Sequence, residues 1–311
     1  MKVLVTGGAG YIGAILVPAL LEKSHSVTVI DSFMYDQDSL SAVCYHPHFR
    51  LIRGDVRAME TMKPLLKEAD VIIPLAALVG ALLCDRDPIA ATTTNKDAIV
   101  KSLEFLSKDQ WILMPITNSG YGVGEKDNFC TEETPLRPVS LYGRDKVAVE
   151  KAVLEQHPNS ISFRLATVFG MSPRMRLDLL VNDFTYHAYH DRFIILFESH
   201  FKRNFVHVRD VARVFLHRIE KFEQMKSEPY NVDLSDANLS KLELCQQIQK
   251  QLPKFVFLES AVGQDPDKRD YIVSNEKIER TGFKPTFSLD DGILELIKGF
   301  AMIRNTKYAN V

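Results

Sequence analysis

Cysteine is scarce in this chain: Cys44, Cys84, Cys130 and Cys245 are all it has, far apart and without a C-x-x-C. That usage argues against a disulfide-built scaffold or a thiolate metal site, and it reads as a reduced, cytosolic protein. An excess of either charge is also missing. Lys plus Arg is 38 and Asp plus Glu is 40, so the net charge is 38 − 40 = −2. This argues against a nucleic-acid or membrane-surface partner and makes any basic site local. No apolar run reaches the ~20 residues of a membrane span, and no signal peptide precedes the first strand. The pairs His46/His48 and His187/His190 have no cysteine or carboxylate partner at a ligand spacing. They read as surface or packing residues, and no metal is expected.

What is present begins almost at residue one. Lys2 to Thr6 is a short β-branched apolar run that predicts a strand, and Tyr11 to Lys23 predicts an amphipathic helix. Between them Gly7, Gly10 and Gly13 keep a G-x-x-G-x-x-G spacing. Gly7 permits the tight turn, Gly10 lets the backbone approach a pyrophosphate, and Gly13 lets the helix pack close, with Tyr11 and Ile12 in the same turn. Val27 to Ile30 predicts the next strand, ending in Asp31, roughly 20 residues after the glycines, where a carboxylate receives ribose hydroxyls. A negative charge there repels a 2′-phosphate, so the expected cofactor is NAD. A third strand, Phe49 to Ile52, leads into Arg53-Gly54-Asp55-Val56, which would set Asp55 and Val56 against the adenine; a turn aspartate explains Asp55 nearly as well.

Strand and helix signals then alternate through Val71–Ala77, Ala98–Leu106, Trp111–Ile116, Tyr142–Gln156 and Ser160–Phe169. The pattern predicts an α/β fold, a doubly wound parallel sheet of the Rossmann type. Pro74 and Pro115 are expected near strand ends or beside the ligand crevice. Residues 1–170 would form the cofactor-binding domain, with 203–233 returning to it. Residues 171–311 would form a smaller substrate-binding lobe, with helices over 177–190, 240–252 and 289–302, a strand over 193–197, and a loose tail from Arg304.

The reacting groups stand in Leu141-Tyr142-Gly143-Arg144-Asp145-Lys146. Tyr142 and Lys146, four residues apart on a helix, share one face. Ionising a free phenol at neutral pH costs about 4 kcal/mol. An ammonium roughly 4 Å away returns about that much at an effective dielectric near 20. Tyr142 therefore suits a general base tuned by Lys146. The third member is expected at the carboxyl edge of the preceding strand, in Thr117-Asn118-Ser119-Gly120-Tyr121-Gly122, as Thr117 or Ser119. Together these groups suit oxidation of an alcohol at a bound nicotinamide. Arg174 and Arg176 would lie at the mouth of the site.

From Lys2 to about Pro285 the chain resembles an extended short-chain dehydrogenase/reductase of the nucleotide-sugar epimerase/dehydratase family. That family reads S-S-x-x-V-Y-G where this chain has Tyr121, which makes Thr117 the active hydroxyl and Ser119 the second choice. The resemblance implies that Leu75, Ala76 and Ala77 line the cofactor, with Pro74 where a histidine is usual, and that Asn95 lies near the nicotinamide ribose. It further implies substrate contacts from Val79 and Ser119, and from Asn182 near the sugar-phosphate. Arg203, opening Arg203-Asn204-Phe205-Val206-His207-Val208-Arg209-Asp210-Val211-Ala212, would face a diphosphate. Asp267-Lys268-Arg269-Asp270-Tyr271 resembles a later segment, implying Arg269 for phosphate and Asp270 for the nucleotide ribose. Guanidinium forks suit a diphosphate.

Departures from the pattern narrow the chemistry. The family's 4,6-dehydratases carry Asp-Glu directly after the active Thr, whereas Asn118 and Ser119 stand here. Its 3,5-epimerases place a cysteine where Ser119 stands, and nothing demands the hexuronate of a decarboxylase. Oxidation at C4 of a nucleotide-linked sugar remains, by a 4-dehydrogenase or a 4-epimerase. The runs 117–122 and 164–178 are similar to bacterial enzymes of capsular heptose biosynthesis, which favours a GDP-sugar. The family usually dimerises, and helices over 86–106 and 142–156 are the candidate contact.

Overall fold

Short runs of buried aliphatic residues, each followed by a helix, build the first half of the chain. The computed structural model describes residues 1–124, 128–221, 225, 227–260 and 269–303; the tail expected from Arg304 lies outside them. In order come β1 (Lys2–Thr6), α1 (Gly13–Glu22), β2 (Ser26–Asp31), β3 (Phe49–Arg53), α2 (Met59–Glu68) and β4 (Val71–Pro74). Three short helices, α3 (Ala81–Arg86), α4 (Pro88–Thr92) and α5 (Ala98–Leu103), lead to β5 (Trp111–Thr117), β6 (Phe129–Cys130) and α6 (Leu141–Gln156). Then follow β7 (Ser160–Leu165), β8 (Thr167–Phe169), α7 (Leu180–His190), β9 (Phe193–Leu196), β10 (Lys202–His207), α8 (Val208–Glu220) and β11 (Pro229–Val232). The chain closes with β12 (Asn238–Ser240), α9 (Lys241–Gln251), β13 (Val256–Glu259), β14 (Ile272–Val273), α10 (Glu276–Glu279) and α11 (Leu289–Phe300).

Among the described residues a seven-stranded sheet runs β11-β7-β5-β4-β1-β2-β3, every pair parallel. A parallel sheet is covered on both faces, so its strands are apolar throughout rather than alternating. Val3, Val5, Val27 and Val29 pack on one side with Leu16, Val17 and Leu20 of α1, while Leu4, Ile30, Ile72, Ile112 and Met114 pack on the other with α2, Ala98 and Ile99 of α5, and Val149 and Val153 of α6. The chain winds outward from β1 in one direction and from β4 in the other. The order reverses where Thr6 is paired with Pro74, and a crevice opens at the carboxyl ends of strands at such a point. Smaller sheets, β12-β10-β8, β13-β9 and β14-β6, lie beyond it.

The fold is the doubly wound α/β sheet expected, with three local differences. Ser160 to Phe169 is two strands. β7 pairs with β5 as far as Thr117, where β5 ends, so the chain turns at Ala166 and β8 pairs with β10 instead. The expected helix over 98–106 begins earlier and is broken. Asp87 caps α4 by accepting from the Ala90 amide (2.9 Å), Pro88 opens it, and a π-helical turn, Thr93–Asp97, joins it to α5. His187, read above as a surface or packing residue, lies between Asp183 of α7 and Asp191 just past its end. Of the two prolines, Pro74 ends its strand, whereas Pro115 lies inside β5.

A buried ion pair ties α6 to the sheet. Arg164 of β7 meets Glu150 of α6 at 2.7 Å, both side chains 6% exposed, and Ser162 Oγ donates to the same carboxylate at 2.6 Å. Removing one member strands a buried charge. Glu150→Ala is expected to lower the unfolding free energy by about 3–5 kcal/mol, and pairing Glu150→Leu with Arg164→Met to recover most of it. Chemical denaturation measures both; a loss under ~1 kcal/mol for the single variant would contradict the pair's role.

Candidate active site

The glycine turn joins β1 to α1 at the switch point. Gly7 has φ +67°, and a Cβ there would sit 2.5 Å from the Ala76 backbone, so the segment after β4 closes directly on the turn. At Gly13 a Cβ would meet Gly8 O at 2.3 Å. Among the described residues no acceptor takes the amides of Tyr11, Ile12 or Gly13, the donors that a helix N-terminus leaves over. The Tyr11 side chain does not reach the turn's mouth. It is buried, donating its hydroxyl to Gly170 O (2.6 Å) while Ser172 Oγ donates to its backbone oxygen (2.7 Å).

Asp31 stands at the end of β2, where its Oδ2 accepts from the Ala9 amide (2.9 Å) and its Oδ1 from the Phe33 amide (2.8 Å). Burial raises its carboxyl above the usual range, and those two amides oppose the rise. Asp55 is half exposed and forks onto Arg57 (2.6 Å), which holds it below its usual range, and Val56 packs beneath it into the core. Leu75, Ala76, Ala77 and Val79 line the loop after β4. Asn95 does not point into the crevice: fully buried in the π-helical turn, it accepts from the Leu78 amide and donates to the Leu78 carbonyl, both at 2.8 Å. It shapes that loop from behind.

Across the crevice Tyr142 and Lys146 rise from the N-terminal half of α6, capped by Ser140 Oγ accepting from the Gly143 amide. Thr117 ends β5, and its hydroxyl donates to Ser119 Oγ (2.9 Å) and accepts from the Ser119 amide (3.1 Å). Arg269 donates to the same Ser119 hydroxyl. Asn118, between them, is fully buried, and neither atom of its amide has a partner among the described residues. Lys146 is buried with Nζ donating to Pro115 O (3.3 Å), which gives the mid-strand proline its place beside the site. Burial pushes Lys146 down to about 8. Burial also pushes the Tyr142 phenol up to about 12, and the cations that pull it back are Arg176 and Arg269. In the chain by itself the Lys146 ammonium is engaged with the Pro115 carbonyl.

The remaining candidates divide. Arg176 pairs with Asp178 and acts on the phenols of both Tyr142 and Tyr11. Arg174 is buried with its guanidinium 4.4 Å from the Tyr35 ring centre, on the loop after β2. Arg203 is buried on β10 and donates to Lys202 O (2.9 Å). Asp270 accepts from the Lys202 amide (2.8 Å), and its segment partners Asp267 and Lys268 lie outside the described residues. Asn182, wholly buried, accepts from the Gly170 amide and donates to Tyr11 Oη and Arg176 O, so it supports Arg176 rather than facing the crevice. Two residues escaped the sequence reading, one packed with the phenol and one further along the helix that carries it. Cys84 is buried, donates to Leu78 O (3.3 Å) and packs with Tyr142; a lone cysteine carries no sequence signal. Glu150 did leave one, lying at the i+8 position of the Tyr142/Lys146 stripe.

Comparison with known proteins places this geometry. The model of the NAD dependent epimerase/dehydratase family matches residues 3–233. The chain is 28% identical over 308 residues to the low-salt glycan biosynthesis protein Agl12 of Haloferax volcanii, covering 94% of this chain and 96% of that one. UDP-glucuronic acid decarboxylase 1 of Arabidopsis thaliana is 25% identical over 96% of this chain and 70% of its own length. Among solved structures, UDP-glucuronic acid 4-epimerase from Bacillus cereus, in complex with UDP-glucuronic acid and NAD, superposes with a TM-score of 0.84 at 25% identity, covering 97% and 99% of the two chains.

The electrostatics give a direct expectation for the cofactor-free protein. In ultraviolet titration, with Tyr142→Phe as the subtraction, Tyr142 should ionise near 12. Arg176→Leu should move it higher still, because a cation that favours the phenolate is gone. An unchanged or lower value in Arg176→Leu would contradict the influence of Arg176 on the phenol.

Proposed function

The chain belongs to the NAD dependent epimerase/dehydratase family, and from that premise we propose that it oxidises C4 of a nucleotide-linked sugar, a GDP-linked manno-heptose, to the 4-keto derivative. We place the reaction in the cytoplasm, in surface-polysaccharide biosynthesis. The family's cofactor is NAD, and the residues at the switch point fit it: three amides without acceptors among the described residues for a pyrophosphate and a carboxylate at the end of β2 for ribose. When bound, NAD supplies the hydride acceptor.

In this reading Tyr142 accepts the C4 hydroxyl proton and Thr117 aligns that hydroxyl. Lys146 holds the nicotinamide ribose and favours the phenolate. Arg176, Arg203 and Arg269 take the diphosphate. The observation that carries the reading is the link from the Thr117–Ser119 hydroxyl chain to the guanidinium of Arg269, whose charge also acts on the Tyr142 phenol. Asn118 and Ser119 cannot serve as the acid/base pair of a water elimination, which supports simple oxidation over dehydration. The heptose and the guanine rest on the resemblance of runs 117–122 and 164–178. A second reading, a 4-epimerase that retains its NAD, is favoured by the similarity to the B. cereus 4-epimerase over almost the whole chain. A homodimer through α3–α5 and α6 is part of the proposal, with Leu82 and Ile89 exposed on the outer helices.

Incubating the purified protein with NAD and GDP-manno-heptose decides between the readings. Accumulating reduced nicotinamide with a 4-keto product by NMR is the expected result. A new C4 epimer without net reduction would make the protein an epimerase, and turnover of UDP-sugars alone would remove the GDP-heptose assignment. Tyr142→Phe should cut kcat by about 10²–10⁴ while leaving NAD binding intact; near-normal turnover would overturn its role as the base.

A further inference from the structure

Asn204 on β10 and Asp233, just past β11, meet in the interior, each fully buried. Asn204 Nδ2 donates to Asp233 Oδ2 at 2.9 Å. The two oxygens left over, Asn204 Oδ1 and Asp233 Oδ1, have no donor among the described residues. A planar amide and a planar carboxyl joined by one N–H···O bond can bring their other oxygens alongside each other. As two acceptors these oxygens repel, and an ionised carboxylate here would be a buried charge without a cation. A single proton on the carboxyl converts the same arrangement into a second hydrogen bond and satisfies both orphans.

We propose that Asp233 is held as a neutral carboxylic acid that donates from Oδ1 to Asn204 Oδ1, and that this acid–amide pair fastens the strand bearing Arg203 to the edge of the large sheet. The surroundings favour it from every side. The Asp233 amide donates to Asn275 Oδ1 (3.1 Å), Asn275 Nδ2 donates back to the Asp233 carbonyl (2.5 Å), and the Leu234 amide donates to Phe205 O (2.8 Å). The backbone on both sides of the pair is thereby tied down. The charged groups acting on Asp233 are Glu132, before α6, and Glu279 of α10, both negative. Lys277 of α10 is engaged with Glu228 and the Tyr230 ring, and Arg203 donates to Lys202 O on its own strand. Burial is the main cause that pushes the Asp233 carboxyl up to about 8, with the Asn204 bond opposing it and the two glutamates adding to it. The functional part rests on Arg203 being a diphosphate ligand, as proposed above. Losing the proton would leave β10 with a repulsive contact one residue from Arg203.

Asp233→Asn tests this, because an amide at 233 can accept from Asn204 Nδ2 and donate to Asn204 Oδ1 without ever ionising. The folded-state value is raised above the unfolded one of 3.8, so the folded wild type keeps a proton that the unfolded chain loses. Wild-type stability should therefore fall relative to the variant as pH rises from about 4 to about 8, by at most roughly tenfold in the folding constant per pH unit. In melts of the full chain the variant should match the wild type at about pH 4 and exceed it increasingly up to about pH 8. A variant that is less stable at the lower pH, or that follows the wild type in parallel, would overturn the acid–amide pair. The infrared carbonyl band of a protonated acid should be present in the wild type at about pH 6 and missing from the variant; its absence from the wild type also overturns the pair. Calorimetric titration with GDP and with UDP, at about pH 7 and pH 9, reads the fastening. Wild-type affinity for whichever nucleotide binds should drop at the higher pH while the variant's holds, and identical pH profiles would reject the link to Arg203. A UDP-only signal would count against the GDP assignment and leave the pair standing.

Discussion

The Arg164–Glu150 ion pair is the contact from which the geometry of the site follows. Taking two charges out of water costs several kcal/mol per ion and is repaid only where every remaining donor and acceptor is met. Here the guanidinium also donates to Tyr121 Oη and Glu132 O, each at 3.0 Å, and Tyr121 in turn donates to Asn231 Oδ1 at 2.7 Å. Five parts of the chain thus meet in one network: α6, β7, the turn after β5, the segment after β6, and the edge strand β11. Thr117 lies four residues before Tyr121, and Tyr142 and Lys146 lie two turns and one turn before Glu150. The distance between the proposed base and the proposed hydroxyl partner is inherited from a contact that neither of them makes.

Around those groups the protein holds its charges in a waiting arrangement. The phenol is kept neutral by burial, the lysine is weakened by burial, and two arginines supply the positive field. Arg269 rests on the Ser119 hydroxyl, and the Asn118 amide lacks partners among the described residues. Buried polar groups without partners are few in native proteins, and they concentrate where function supplies the missing partner. A positively charged nicotinamide beside Tyr142 would move the balance toward the phenolate, whereas a diphosphate that drew Arg269 away would remove one of the two cations that favour it.

Much of this is legible in the sequence alone, for identifiable reasons. The β1 strand, the glycine turn and Asp31 are local in sequence, and their spacing reflects one covalent unit of strand, turn and helix. The Tyr142–Lys146 stripe is likewise local to one helix. What escapes depends on contacts between distant segments. The family resemblance assigns Asn95 and Asn182 to ligand contacts, yet each spends its amide on backbone within the fold, at Leu78 and at Gly170 and Arg176. Nothing in a single sequence separates an asparagine facing a ligand from one facing a carbonyl. The break at Ala166 is hidden because an apolar β-branched run looks the same whether it serves one sheet or two. The direction of the Lys146 side chain depends on the Pro115 carbonyl, 31 residues away.

The central claim is that Tyr142 and Thr117 act together on one sugar hydroxyl, within a frame set by the buried ion pair. The most direct measurement is a crystal structure of the Tyr142→Phe protein with NAD and the nucleotide sugar bound. The account predicts the C4 oxygen within hydrogen-bond distance of Thr117 Oγ1 and beside the edge of the phenyl ring at position 142, with Arg269 moved from Ser119 onto the diphosphate. A sugar whose C4 lies away from both side chains, with Arg269 still on Ser119, would contradict it.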